Sequence, residues 1–389
     1  MAVFTVYNIP PVLFGAGSSA QTGKELKDLG CTRVFCVYDR GIKAAGIVDS
    51  IVKSIESAGI SVIHYDKVLP DPTVAAVEEA GRIARLSNID GIVGLGGGSS
   101  MDTAKGVNVL IANPGPLRNY MGLDKFNARQ EKGKPLVLMP TTAGTSSEVS
   151  RAYTLIDETT GQKGPGGGIN ATATLAIVDP ELTIKLPKPV TALTGIDALS
   201  HGAEALTNES GNPVADMSGR EGVRLAFDNL PRAYENGSDL AARTNMSFAC
   251  IIIGYAFMNS ATHIGHAVAD AISRLYHPAH GVGVSIGLPF LARYCNIYRP
   301  DKVRKLAEAI GLKPRSNISQ ENLGHRTAEA LRSLSHSIGI ADMKSLGVKS
   351  SEIETIARYT VNNGRFTAPG IQKPDFKVVY RILKEEYDS

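Results

Sequence analysis

Short β-branched runs and helical patterns alternate through the first half of this chain, and after about Pro187 the strand-like runs stop. The runs are 33–38, 61–65, 90–95, 136–139 and 175–178, each strand-like and short, with 90–95 read as a buried strand. Among them lie stretches with helical spacing, 47–58, 73–86 and 99–111, the second opened by Pro72-Thr73. Strands separated by helices pair side by side only through crossovers, so a parallel sheet covered by helices is expected. Beyond Pro187 the helical stretches follow one another directly: 190–207, 214–230, 240–275, 302–310, 321–338 and 351–362. A chain of 389 residues exceeds what one core usually supports. The expected architecture is an α/β domain over 1–187 and an all-α domain over 188–389, with a ligand site in the cleft between them.

Three segments of the α/β half suit a nucleotide. Gly96-Gly-Gly-Ser-Ser-Met-Asp102 follows a strand and opens a helix. Its glycines let backbone approach an anion, and Ser99 or Ser100 can cap a helix whose N-terminal N–H groups favour a pyrophosphate. It is neither a Walker loop nor a GxGxxG fingerprint, and a plain tight turn gives the same letters. Asp39 ends the strand 33–38, where an acid commonly binds a ribose and repels a 2′-phosphate, favouring NAD over NADP; it equally suits a helix N-cap. Because this acid precedes the glycine loop, the sheet is expected to be a variant of the usual dinucleotide-binding (Rossmann-like) order. Pro140-Thr-Thr-Ala-Gly-Thr-Ser-Ser-Glu148 follows another strand and is dense in hydroxyls.

The helical half carries a different chemistry. Asp197 and His201 stand four apart in a helical segment, hence on one face and about a turn apart. His266, His277 and His280 cluster downstream. One carboxylate and several imidazoles suit a divalent transition metal with an open position, although a hydrogen-bonded surface pair has the same spacing.

Composition excludes other classes. The net charge is only +3, and no Lys/Arg-rich run accompanies it, so nucleic acid is not expected as a partner. Four scattered cysteines without CxxC pairing read as reduced thiols of a cytoplasmic protein. The N-terminus lacks a signal-peptide pattern, and the longest apolar stretch, 248–258, is too short for a bilayer, so no membrane is expected either.

Several motifs in one order resemble the iron-containing (group III) alcohol dehydrogenases across nearly the whole chain. They are Gly96–Lys105, Pro140–Glu148, Ala176-Ile-Val-Asp-Pro180, Asp197-Ala-Leu-Ser-His201, and the spacing of Gly265-His266 to His280-Gly281. The resemblance implies NAD(H), and Fe²⁺ (Zn²⁺ in some relatives) held by Asp197, His201, His266 and His280. It also implies Gly97, Gly98 and Ser99 on the pyrophosphate, Asp39 near the ribose, Thr141, Thr142, Thr145 and Lys163 around the cofactor, and Asp102 near the nicotinamide. The implied activity is hydride transfer between nicotinamide and a small primary alcohol or aldehyde, and the implied assembly is a homodimer. A glycerol-dehydrogenase-like or dehydroquinate-synthase-like relative, or a catalytically silent NAD-binding relative, is the alternative.

Three positions depart from the family pattern. Asp270 stands where relatives usually carry a His, which redirects the proton path, with His277 as the candidate, or adds Asp270 to the metal's ligands. Gly164-Pro-Gly-Gly-Gly168 replaces bulkier residues, as a mobile loop, a wider cleft or a surface turn. Arg151 falls where a neutral substrate-lining residue is usual, near Phe257 as an apolar wall; it suits a substrate bearing an anionic group, or a surface salt bridge.

Overall fold

The computed structural model describes residues 3–125 and 130–389. Its contacts divide into two compact units, Ile9–Lys185 and, with the segment up to Asn8, Leu186–Ser389. Tyr7 ties that first segment to the helical unit: its N–H donates to Asn259 Oδ1 at 2.8 Å, and Asn259 Nδ2 donates back to the Tyr7 carbonyl at 2.9 Å.

The α/β unit contains β1 (Val12–Phe14), β2 (Arg33–Val37), β3 (Ser61–Tyr65), β4 (Gly91–Gly96), β5 (Leu136–Pro140), β6 (Ala152–Asp157), β7 (Gln162–Gly167) and β8 (Leu175–Val178). Its helices are α1 (Thr22–Asp28), α2 (Arg40–Ala44), α3 (Ile47–Ser57), α4 (Val74–Leu86) and α5 (Gly98–Ala112). Six strands form a parallel sheet in the order β1-β8-β5-β4-β2-β3. Alternation along the strands splits the core in two. Phe35, Val37, Ile92, Leu136 and Leu138 meet Val74, Val77, Met101 and Ala104 of α4 and α5. Val34, Cys36, Val93, Leu95 and Val137 meet Leu26, Val48, Ile51 and Ile55 of α1 and α3. Helices thus cover both faces, as strands buried throughout, such as β4 and β5, require. The order of strand addition reverses between β2 and β4, since β2 leads outward to β3 while β4 leads on toward β5. The carboxyl ends at such a reversal are where open α/β sheets take ligands, and here they carry Asp39 and the glycine loop.

Gly164–Gly168 forms neither a mobile loop nor a plain turn. Its first four residues belong to β7, antiparallel to β6, with Tyr153 opposite Gly166. A Cβ on Gly166 would lie 2.2 Å from the Tyr153 ring, so the glycine is the space that the buried tyrosine occupies.

The helical unit runs α6 (Lys188–Thr207), α7 (Pro213–Glu235), α8 (Leu240–Met258), α9 (Ile264–Tyr276), α10 (His280–Tyr298), α11 (Pro300–Ala309), α12 (Gln320–Ser337), α13 (Ile353–Asn362), α14 (Gly364–Thr367) and α15 (Phe376–Asp388). The expected single helix over 240–275 is two. α8 ends at Asn259, whose side chain turns back to the Tyr255 carbonyl, and α9 begins after His263. α8 is long and apolar enough to cross a membrane by length and composition, but more than half of it is buried, as befits a core helix. α9 and α10 meet backbone to backbone: a Cβ on Gly287 would stand 2.4 Å from the Gly265 carbonyl oxygen. The missing side chain at 287 lets the two imidazole-bearing helices approach this closely.

Candidate active site

Helix α6 supplies three acidic or imidazole groups on one stripe, Asp197, His201 and Glu204. His266 enters from the first turn of α9, and His280 is the first residue of α10. One donor atom from each of Asp197, His201 and His266 lies within 4.8 Å of the other two. His280 Nε2 comes within 3.4 Å of Asp197 Oδ1. The rings of His201 and His266 are 4.9 Å apart between centres, and those of His266 and His280 are 5.6 Å apart. Phe257, at the end of α8, sets its ring 5.2 Å from His201, and Phe366 of α14 lies 5.6 Å from His266.

Three atoms of this cluster are buried without a hydrogen-bond partner: Asp197 Oδ1, His201 Nδ1 and His266 Nε2. Each such atom costs of order 1–3 kcal/mol, and a native fold rarely leaves three facing one another. One divalent cation satisfies all three at once, with His280 at hand as a fourth ligand, so the donor set fits a transition metal. Electrostatics agree. Burial opposes ionisation of Asp197, but the facing His201, His280 and His266 hold its carboxyl well below the usual range. Burial pushes His201 down to about 4 against the pull of Asp197, so it stays neutral and able to ligate.

Glu204 is the functional residue that sequence reading passed over. It is buried, and it accepts from His266 Nδ1 at 2.9 Å, from the His266 N–H at 2.8 Å, and from the His263 N–H. Burial raises its carboxyl, but His266 and His263 outweigh this and keep it ionised. An ionised acceptor at Nδ1 places the ring proton there and leaves His266 Nε2 with its lone pair. Burial works against a charge on His266, whereas Glu204 and Asp197 raise its pKa above the ordinary value. A Cβ on Gly265 would lie 2.4 Å from Glu204 Oε1, which explains a glycine before His266. The signal was in the sequence, since Asp197, His201 and Glu204 follow at helical intervals of four and three.

In the α/β unit, Gly97 is the N-cap of α5, and Gly96 has φ 143°, open to glycine alone. The loop packs on the hydroxyl-rich segment: the Thr141 N–H donates to the Gly96 carbonyl at 3.0 Å, and a Cβ on Gly98 would meet Thr145 at 2.8 Å. Thr142 stands beside Gly97, and the buried Thr141 Oγ1 has no partner. Ser99 accepts through its carbonyl from Thr103 Oγ1. Asp39 caps α2, accepting from the Ile42 N–H at 3.1 Å, and its second oxygen lies 3.5 Å from Ser100 Oγ. Glycine loop, threonine loop and Asp39 thus sit together at the carboxyl ends of β4, β5 and β2, around the positive end of a 15-residue helix.

Other expected site residues lie apart from these groups or are occupied. Both oxygens of Asp102 accept inside the protein, from Ser147 Oγ at 2.6 Å and the Thr154 N–H at 2.8 Å. Lys163 pairs with Asp71 at 2.5 Å on the hairpin. Asp270 pairs with Arg274 at 3.1 Å and accepts from Asn363 Nδ2 at 2.6 Å, rather than joining the cluster. His277 is exposed at the C-cap of α9, in left-handed conformation with φ 50°. The Arg151 carbonyl accepts from the Gly168 N–H at the mouth of the hairpin.

Comparison with known proteins converges on one family. A family model described as iron-containing alcohol dehydrogenase matches residues 10–180, and the Fe-containing alcohol dehydrogenase C-terminal model matches 191–387. The chain is 33% identical to the NAD-dependent methanol dehydrogenase of Bacillus methanolicus, over 91% of this chain and 92% of that one. It is 30% identical to the sulfoacetaldehyde reductase of Bilophila wadsworthia, over 91% of each. The crystal structure of a 1,3-propanediol oxidoreductase superposes with a TM-score of 0.92 at 32% identity, over 99% of this chain and 100% of the other.

Proposed function

Because the chain belongs to the iron-containing alcohol dehydrogenase family, NAD(H)-dependent oxidoreductases of small alcohols and aldehydes, we propose that Asp197, His201, His266 and His280 hold Fe²⁺, for which Zn²⁺ is a chemically suitable substitute. The observation that carries this reading is the trio of facing buried donors without partners. The bound metal supplies a Lewis acid for the substrate oxygen, and the nicotinamide supplies or takes the hydride. The chain's own residues do the rest. Glu204 fixes the tautomer and angle of His266. Phe257 and Phe366 give the imidazole cluster an apolar wall that excludes water.

Gly97, Gly98 and Ser99, with the N-terminal amides of α5, take the pyrophosphate, while Thr141, Thr142 and Thr145 line the same loop. Asp39 takes the ribose and disfavours a 2′-phosphate. Asp102 and Lys163 support the cofactor site indirectly, through the threonine loop and the hairpin. With Asp270 engaged by Arg274 and Asn363, proton exchange with solvent falls to His277.

The finer readings are also proposals. Substrates bearing an anionic group are accepted, which the 30% identity to a sulfoacetaldehyde reductase supports, with Arg151 as a first contact. The protein works in the cytoplasm, supported by four buried free thiols. It assembles as a homodimer, supported by exposed apolar side chains at Val3, Phe4 and Val6. The test is NADH oxidation by Fe²⁺-reconstituted protein against a panel of neutral and anionic aldehydes, with a chelator-treated control. Metal-dependent turnover is expected. Metal-loaded protein that turns over no aldehyde would overturn the reductase assignment in favour of a silent NAD-binding relative.

A further inference from the structure

Asp270 stands one turn beyond His266, and the structure shows what its carboxylate grips. It projects from α9 and accepts from the side chain of Asn363 at 2.6 Å. Asn363 is the N-cap of α14, and its carbonyl accepts from the Phe366 and Thr367 N–H groups at 3.1 and 3.0 Å. Asp270 therefore anchors the start of a single helical turn, Gly364–Thr367, against the metal-ligand helix. That turn delivers two side chains toward the cluster. The Phe366 ring lies 5.6 Å from the His266 ring. The Arg365 guanidinium stacks over Phe366 at 4.6 Å, so at most about 10 Å separate it from the His266 imidazole. Arg365 is largely buried, with Asp270 as the carboxylate that most favours its charge.

We propose that Arg365, held in place through Asp270 and Asn363, receives the anionic head group of the substrate, and that the preferred substrates are short aldehydes bearing a carboxylate or sulfonate one to three carbons from the carbonyl. The inference rests on the reductase reading above and gives it a substrate class. The span suits it: an aldehyde oxygen at the imidazole cluster and an anion a few bonds away reach the guanidinium without a long chain. A guanidinium matches the planar oxygens of a carboxylate or sulfonate bidentately, and burial strengthens the pairing by removing competing water. Stacking on Phe366 fixes the plane of the fork, so little side-chain freedom is lost on binding. Asp270 is thereby a positioning residue, acting on the substrate only through the turn it anchors.

The experiment uses the Fe²⁺-loaded enzyme with NADH, comparing propanal with succinic semialdehyde and sulfoacetaldehyde. Wild type is expected to favour the anionic substrates in kcat/KM. Arg365→Met should lower kcat/KM for them on the order of a hundredfold, chiefly through KM, with propanal changed by less than about threefold. Arg365→Lys should recover part of the loss. Asp270→Asn should weaken the anionic substrates by a smaller factor, while kcat for propanal holds. A second readout avoids turnover: calorimetric titration of the metal-free protein with NADH and 2-hydroxyethanesulfonate should lose affinity in Arg365→Met. Equal losses for propanal and the anions, or an Arg365→Met protein that binds the sulfonate like wild type, would overturn the inference while leaving the reductase reading intact. If wild type reduces none of the three aldehydes, the reductase reading falls and takes this inference with it.

Discussion

Two buried polar clusters of this protein differ in what they leave undone. Around α5, Lys105 is fully buried and its ammonium donates to the Ser150 carbonyl, Ser150 Oγ and the Ala152 carbonyl at 3.0, 3.1 and 2.7 Å. Asp102, one turn before it, spends both oxygens on Ser147 and Thr154. Around α6, Asp197, His201 and His266 turn unpartnered atoms toward one another. The first cluster is closed: its groups satisfy one another and pin the threonine loop and β6 to α5. The second is open, and its unsatisfied atoms converge on one point. A buried polar cluster in a native fold deserves the question of whether its hydrogen bonds balance, because the shortfall marks where a ligand belongs.

The contrast can be broken most directly by removing one acid or base from each side. Asp197→Ala should abolish tight metal binding and cut turnover on the order of a thousandfold, measured by metal analysis and NADH oxidation. Lys105→Met should do the reverse. It leaves the Ser150 and Ala152 carbonyls without their buried donor and removes the cation that most favours the Asp102 charge, so denaturant unfolding should show a loss of about 1–3 kcal/mol, while metal affinity in the other unit holds. If Lys105→Met is harmless, Asp102 is not the closed structural group described above.

Glu204 sharpens the comparison, since it is a closed group serving the open cluster. Glu204→Ala should weaken metal affinity by about 10–100-fold in a chelator competition, and Glu204→Gln, whose one carbonyl oxygen still accepts from His266 while its NH2 replaces the oxygen facing the His263 N–H, should lose less. Acidification gives the smallest and most graded effect. Below pH 6.5 the unfolded chain protonates the residue that folding keeps neutral at His201 down to about 4, so metal-free stability should fall as pH drops through that window. His266 has the opposite shift: its raised pKa lets protons compete with the metal from above 6.5 downward, so metal loading measured at pH 8 should exceed that at pH 6.

Much of this architecture is legible in the sequence because it depends on local spacing. Apolar runs such as 91–95 and 136–139 suit strands buried on both faces, and Asp197 and His201 had to share a face of one helix. Other features depend on partners far along the chain. The Gly-Pro-Gly run looked like a turn because its strand character comes from Tyr153 filling the space over Gly166, which only the pairing reveals. The break at Asn259–His263 is visible as a polar interruption, Asn-Ser-Ala-Thr-His, but what fixes it is not, since the Asn259 side chain finds its partners in Tyr255 and in Tyr7, some 250 residues upstream. The role of position 270 could not be read either, because the side chain it holds, Asn363, lies 93 residues away.

The contact between Gly265 and Gly287 has a consequence for how such a site diversifies. The approach of the helices bearing His266 and His280 depends at Gly287 on a hydrogen atom where another residue would have a methyl group. Adding one methyl at position 287 would leave all the proposed ligands in place and still move one pair of them relative to the other. Selection among ions of different radius could therefore act on residues that never touch the ion, with the helix crossing serving as the gauge and the ligands merely reporting it.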